Sequence, residues 1–137
     1  EFVDGQRRRL AKDELRFASM LGQVAQDLIQ CDQPAAAERM LREALSIRER
    51  IEPDAWTTFN SMSVLGGVLL KRKQFADAEM LLVAGFSGMK TRASSMPPQA
   101  APRLIEAVDR LISLHEALDK PAEVRKWKAE RATFVKP

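Results

Sequence analysis

A spacing of 41 residues runs through the first two thirds of the chain. Ala25 leads to Gly66 (66 − 25 = 41), and Ala37, Glu38, Leu41 and Ala44 lead at the same interval to Ala78, Glu79, Leu82 and Gly85. Self-similarity at a fixed interval of this size constrains architecture more than any local motif, because each copy is one supersecondary unit that must bury its apolar face on the next. Around Gly66 the run Ser63-Val64-Leu65-Gly66-Gly67-Val68-Leu69-Leu70 passes through Lys71-Arg72-Lys73-Gln74-Phe75 into Ala76-Asp77-Ala78-Glu79. That is helix, short polar turn, helix, with small residues where two helices must touch. An offset of 46 relates Leu69 to His115 and Ala78 to Val124. A third, degenerate unit follows, and its five extra residues (46 − 41 = 5) fall in the breaker-rich linker at 92–99.

The apolar spacing predicts six helices. Phe17, Leu21, Val24 and Leu28 recur at 4, 3 and 4 and share a face, giving a helix over 10–30. Pro34 suits the first turn of a second helix ending near Ile51, and Asp54 is the expected N-cap of a third over 54–72. Helices over 75–91, 100–118 and 121–134 complete the set. Gly66-Gly67 in mid-helix costs about 1 kcal/mol per glycine relative to alanine, which a close approach of the next helix would offset. Residues 1–9 are expected to be disordered or cloning-derived, and the chain to be a piece of a longer protein. The repeat domain then spans 10–134, in units of about 10–51, 54–91 and 100–134.

Composition narrows the function. With 22 Lys+Arg against 19 Asp+Glu the net charge is +3, ungathered apart from Arg7-Arg8-Arg9, so no nucleic-acid partner is expected. Cys31 is alone, which excludes an intramolecular disulfide and fits a cytoplasmic location. No apolar run is long enough to span a bilayer, so no membrane partner is expected. His115 is the chain's one histidine, and Glu116 follows it; a zinc helix wants two histidines a turn apart, so neither metal nor cofactor is expected and His115 reads as a core residue. No nucleophile–base pair stands at usable spacing, so no catalytic residue is assigned.

These residues resemble tetratricopeptide repeats. Leu21…Val24-Ala25…Leu28 and Met62…Leu65-Gly66…Leu69 are similar to the family's first helix, and Ala37…Leu41…Ala44 and Ala78…Leu82…Gly85 to its second. The segment from Ala37 to Glu49 is similar to the longer repeats of kinesin light chains. The run from Leu41 through Pro53-Asp54-Ala55-Trp56 to Pro97-Pro98 resembles the C-terminal repeat region of large bacterial serine/threonine kinases. The third unit departs from the pattern, with Ile112 where a small residue is expected and Lys128 where an apolar one would pack.

The resemblance implies an all-α fold, three antiparallel helix pairs stacked in a right-handed superhelix, with the first helices lining a concave groove. Its groove-facing residues would be Gln23 and Gln26, then Asn60, Ser63, Gly67 and Lys71, then Glu106, Asp109, Ser113 and Glu116, which makes the far end acidic. The family's carboxylate clamp needs Lys and Asn where this chain has Gly22, Gln26, Ser63 and Gly67, so the C-terminal carboxylates of chaperones are not expected ligands. The expected function is non-catalytic: a protein–protein interaction module holding a partner peptide, helix or neighbouring domain, including a kinase domain of the parent chain. The alternative is a homodimerisation module with an idle groove.

Overall fold

The computed structural model describes residues 2–135. Six α-helices follow in order: α1 (Phe2–Gln30), α2 (Pro34–Ile51), α3 (Trp56–Lys71), α4 (Phe75–Thr91), α5 (Pro102–Ala117) and α6 (Pro121–Ala132). Two single-turn 3-10 helices, Ala93–Ser95 and Pro98–Ala100, occupy the linker before α5, and no strand occurs among the described residues. Pro34, Pro102 and Pro121 each open a helix, where the missing N–H removes no intrahelical bond.

Three hairpins, α1–α2, α3–α4 and α5–α6, stack so that α2 packs on α3 and α4 on α5, while α3 also meets α5. Their turns are built alike. Asp32, Lys73 and Asp119 adopt left-handed backbone, with φ of 57°, 62° and 54°. After each, the next backbone N–H reaches back to close the preceding helix: Gln33 to Leu28 O at 2.8 Å, Gln74 to Leu69 O and Lys120 to His115 O at 2.9 Å. This is the C-terminal closure usually supplied by glycine.

The core runs through α2–α5, with Leu65, Leu69, Leu82, Met89, Leu111 and Leu114 essentially inaccessible. The small residues at the repeat interval set how closely the helices approach. A β-carbon on Gly66 would stand 2.7 Å from Leu82 Cγ, and one on Gly85 would stand 2.7 Å from the Phe59 carbonyl oxygen and 2.8 Å from Ser63 N.

Several expectations need correction. The first helix begins at Phe2, eight residues before Leu10, and residues 2–9 are an exposed helical extension instead of a disordered segment; Glu1 lies outside the described residues. Charged residues such as Arg7-Arg8-Arg9 carry no apolar periodicity, yet long side chains of this kind extend an existing helix at little cost. Phe17 and Val24 are 41% and 39% exposed, whereas Ala18, Leu21 and Ala25 are buried. α1 has a neighbour on one side, α2, whereas α3 is flanked on both, so the face of α1 that is covered is narrower. Asp54 does not cap α3: the N-cap position is Ala55. Asp54 instead receives Arg92, whose Nη2 lies 3.6 Å from its carboxylate. The joint before α3 is held by Thr58 Oγ1, which donates to the Glu52 carbonyl at 2.6 Å, and by Thr57 Oγ1, which donates to the Glu52 carboxylate at 2.8 Å.

In the third unit Ile112 stands where the second has its contact glycine, and little of α6 is buried. Trp127 is its one buried residue, and Lys128 faces solvent. Trp127 packs edge-on against Phe86, with ring centroids 5.5 Å apart.

Candidate groove across the first helices

The first helix of each hairpin contributes to one shared face. Two adjoining cavities lie along it, of about 380 Å³ and 270 Å³. The larger has an apolar wall of Ile29, Val64, Val68 and Leu70, and Gln26, Gly67, Lys71, Asp109, Arg110 and Ser113 complete its lining. The smaller is more polar, with Ser19, Gln23, Gln26, Asn60, Ser61, Arg48 and Arg103 around it. Gln26 and Val64 border both.

Of the residues expected at the groove, Gln23 and Asn60 therefore lie in the smaller cavity, Gly67, Lys71, Asp109 and Ser113 in the larger, and Gln26 in both. Ser63 is corrected: it is fully buried beneath Arg110, whose Nη1 donates to its Oγ at 2.9 Å, so no partner can reach it. Glu106 lines neither cavity and pairs with Arg103 at 3.0 Å. Glu116 borders a separate depression at the α5–α6 turn, beside Asp119 and Lys120.

The far end of the groove is thus not acidic. Asp109 accepts from Arg131 Nε at 2.6 Å. Arg110 and Lys71 line the larger cavity beside it, and Arg110 lies in the field of Glu106 and Asp109. Arg110 lies across Gly67: a β-carbon there would stand 3.1 Å from both its Cδ and its Nε. Burial pushes the Arg110 guanidinium pKa down, against the opposing charges of Glu106 and Asp109. Asn60, in the wall of the smaller cavity, has its Oδ1 buried without a hydrogen-bond partner among the described residues.

Arg110 and Val64 are absent from the residues that the sequence singled out. The repeat itself locates them: Gln23 plus 41 is Val64, and Val64 plus 46 is Arg110.

His115 is 2% exposed, with Nδ1 2.8 Å from the Leu111 carbonyl and Nε2 3.3 Å from Glu79. Its ring is spent on tying the third unit to the second. Among the described residues no group of three His, Cys, Asp or Glu side chains is placed to hold a metal ion. No described helix is long and apolar enough to cross a membrane.

The tetratricopeptide repeat family model matches residues 17–54, which cover the second half of α1, all of α2 and the joint to α3. No curated protein matches the chain. The matched helix–turn–helix is followed among the described residues by two more hairpins of the same build, each with a left-handed residue in its turn, which together support a tetratricopeptide-repeat-like domain.

Proposed function

We propose that this domain is a non-catalytic binding module that holds a peptide or helix of a protein partner in the groove across α1, α3 and α5. Tetratricopeptide repeats generally mediate protein–protein interaction. The observation that carries the groove reading is the pair of adjoining cavities, whose apolar wall of Ile29, Val64 and Leu70 is bordered by polar groups on all three helices. Such a surface suits a ligand that buries one or two aliphatic side chains and orients itself through a few polar contacts. The likeness to kinase C-terminal regions extends the proposal to a cytoplasmic serine/threonine kinase as parent chain, with a substrate or the kinase domain itself as the occupant. The test is amide chemical-shift mapping with peptides selected on the domain from a displayed library of random sequences. Shifts gathered at Gln23, Gln26, Gly67, Lys71 and Ser113 support the groove; shifts confined to α2 and α4 overturn it.

A second reading, self-association, has its own observation. Val3, Leu10, Phe17 and Val24 follow one another at seven residues along α1 and are 57%, 60%, 41% and 39% exposed. A heptad spacing keeps apolar groups on one slowly winding stripe, the geometry by which two helices pair. Concentration-dependent mass separates the two readings.

A further inference from the structure

We infer that the contact of His115 with Glu79 is a proton-operated latch between the second and third units: the charged ring ties α5 to α4, and the neutral ring releases Glu79 to water. The latch is independent of what the groove binds.

Both ring nitrogens of His115 face acceptors. Nδ1 lies 2.8 Å from the Leu111 carbonyl oxygen, and Nε2 lies 3.3 Å from the Glu79 carboxylate. A neutral imidazole carries one N–H, and only the doubly protonated ring donates through both nitrogens. The two acceptors differ in what they can do. The Leu111 carbonyl belongs to the preceding turn of α5 and cannot withdraw, so it keeps the hydrogen on Nδ1 when the ring is neutral. Nε2 then turns a bare lone pair towards a carboxylate. The Glu79 side chain is 43% exposed and can swing into solvent, whereas His115 is buried and has no such exit.

The joint between the first and second units is built on the same repeat position. Glu38 leads to Glu79 at the repeat interval (38 + 41 = 79). Glu38 accepts from Arg42 on its own helix and from Arg72 just after α3, and a guanidinium keeps its charge throughout. Val83 stands where Arg42 stood (42 + 41 = 83), so α4 offers Glu79 no arginine one turn on. One joint therefore holds a permanent cation and the next a titratable one.

The other charges around the ring come in equal numbers of each sign. Glu116 on α5, Asp119 and Lys120 in the turn and Arg125 on α6 border the same depression as His115. Asp77 of α4 lies in a different depression, beside Arg42, and α3 carries no charge before Lys71 at its end. Glu79 is thus the carboxylate in contact. Histidine ordinarily changes charge between about pH 5 and 8. The latch is complete on the acid side of that range and is lost as pH rises through it.

His115 is the chain's one histidine, so long-range proton–nitrogen correlation spectra of histidine-labelled protein read its ring directly. Expected is a hydrogen on both ring nitrogens at about pH 5 and on Nδ1 alone at about pH 8. Over that interval hydrogen exchange, corrected for its intrinsic pH dependence, should show protection across α5 falling about two- to tenfold. Glu79→Gln keeps a partner for Nε2 in both states, because an amide can accept or donate. In that variant the pH-dependent loss of protection should vanish with helical content unchanged. A ring that stays neutral, or stays charged, across the range overturns the latch. So does native protection that does not change with pH, and so does a loss that persists in Glu79→Gln.

Discussion

Gly85 presses against the backbone of Phe59 so closely that a β-carbon at Gly85 would stand 2.7 Å from the Phe59 carbonyl oxygen. The obstacle is main chain, and two helices must separate to admit a methyl group. Gly85→Ala is expected to destabilise the domain by about 2–3 kcal/mol, in the range of overpacked cores. Gly66→Ala meets Leu82 Cγ at 2.7 Å and Cδ2 at 2.8 Å, a buried side chain that must repack, and should cost somewhat less than a clash with main chain. Urea midpoints of the two variants, with unchanged m-values, check the order.

The left-handed turn residues give a prediction of opposite sign. Lys73 holds φ 62° with a long side chain, where glycine carries no steric penalty. Lys73→Gly should stabilise by about 0.5–1 kcal/mol, after allowing for the greater freedom of glycine in the unfolded chain. Asp32→Gly and Asp119→Gly should gain less, since aspartate tolerates this conformation. Thermal unfolding of the three variants tests the ranking.

Glu38 links the first unit to the second. It accepts from Arg42 Nε at 2.8 Å within α2 and from Arg72 Nη1 at 2.6 Å at the next turn. Burial raises its pKa, but the two arginine hydrogen bonds and charges outweigh this and hold it below the ordinary glutamate value. A carboxylate with a lowered folded pKa contributes stability that is complete above its unfolded pKa and is lost as pH falls through the folded one. Stability should therefore decline below the ordinary glutamate range. Glu38→Gln should cost about 1–2 kcal/mol at neutral pH and flatten that part of the profile. Denaturant midpoints across the acid range measure both.

The exposed α1 stripe predicts an effect on association alone. Leu10→Lys with Phe17→Lys touches no fully buried side chain, so the melting temperature should change little. If two copies pair through this stripe, sedimentation equilibrium will show dimers of the native protein and monomers of the double variant. Monomers in both leave the stripe without a second copy.

The repeat made the hairpins legible because their signals are local: a proline opens a helix at Pro34 and Pro121, and small residues recur at 41. The start of α1 was not legible, since residues 2–9 carry no core-facing pattern. Nor was the charge of the groove. The direction of Arg110 depends on the space left by Gly67, 43 positions earlier on another helix (110 − 67 = 43). Ser63 reads as a polar groove residue until that same arginine covers it. Long side chains are placed by what they meet, which spacing along one helix does not encode.

Trp127 is the one buried residue of α6; beyond it the helix is held by the partly buried Val124 and by the ion pairs of Glu130 with Lys90 and of Arg131 with Asp109. A helix anchored so sparsely opens without unfolding its neighbours, so opening free energies should form a ladder with its lowest rung at the C-terminal hairpin. α5 supplies one wall of the larger cavity and shares that hairpin. An occupant bridging α5 to α1 and α3 would consequently quiet the loose end, and part of its interaction energy would be absorbed in ordering the domain that receives it.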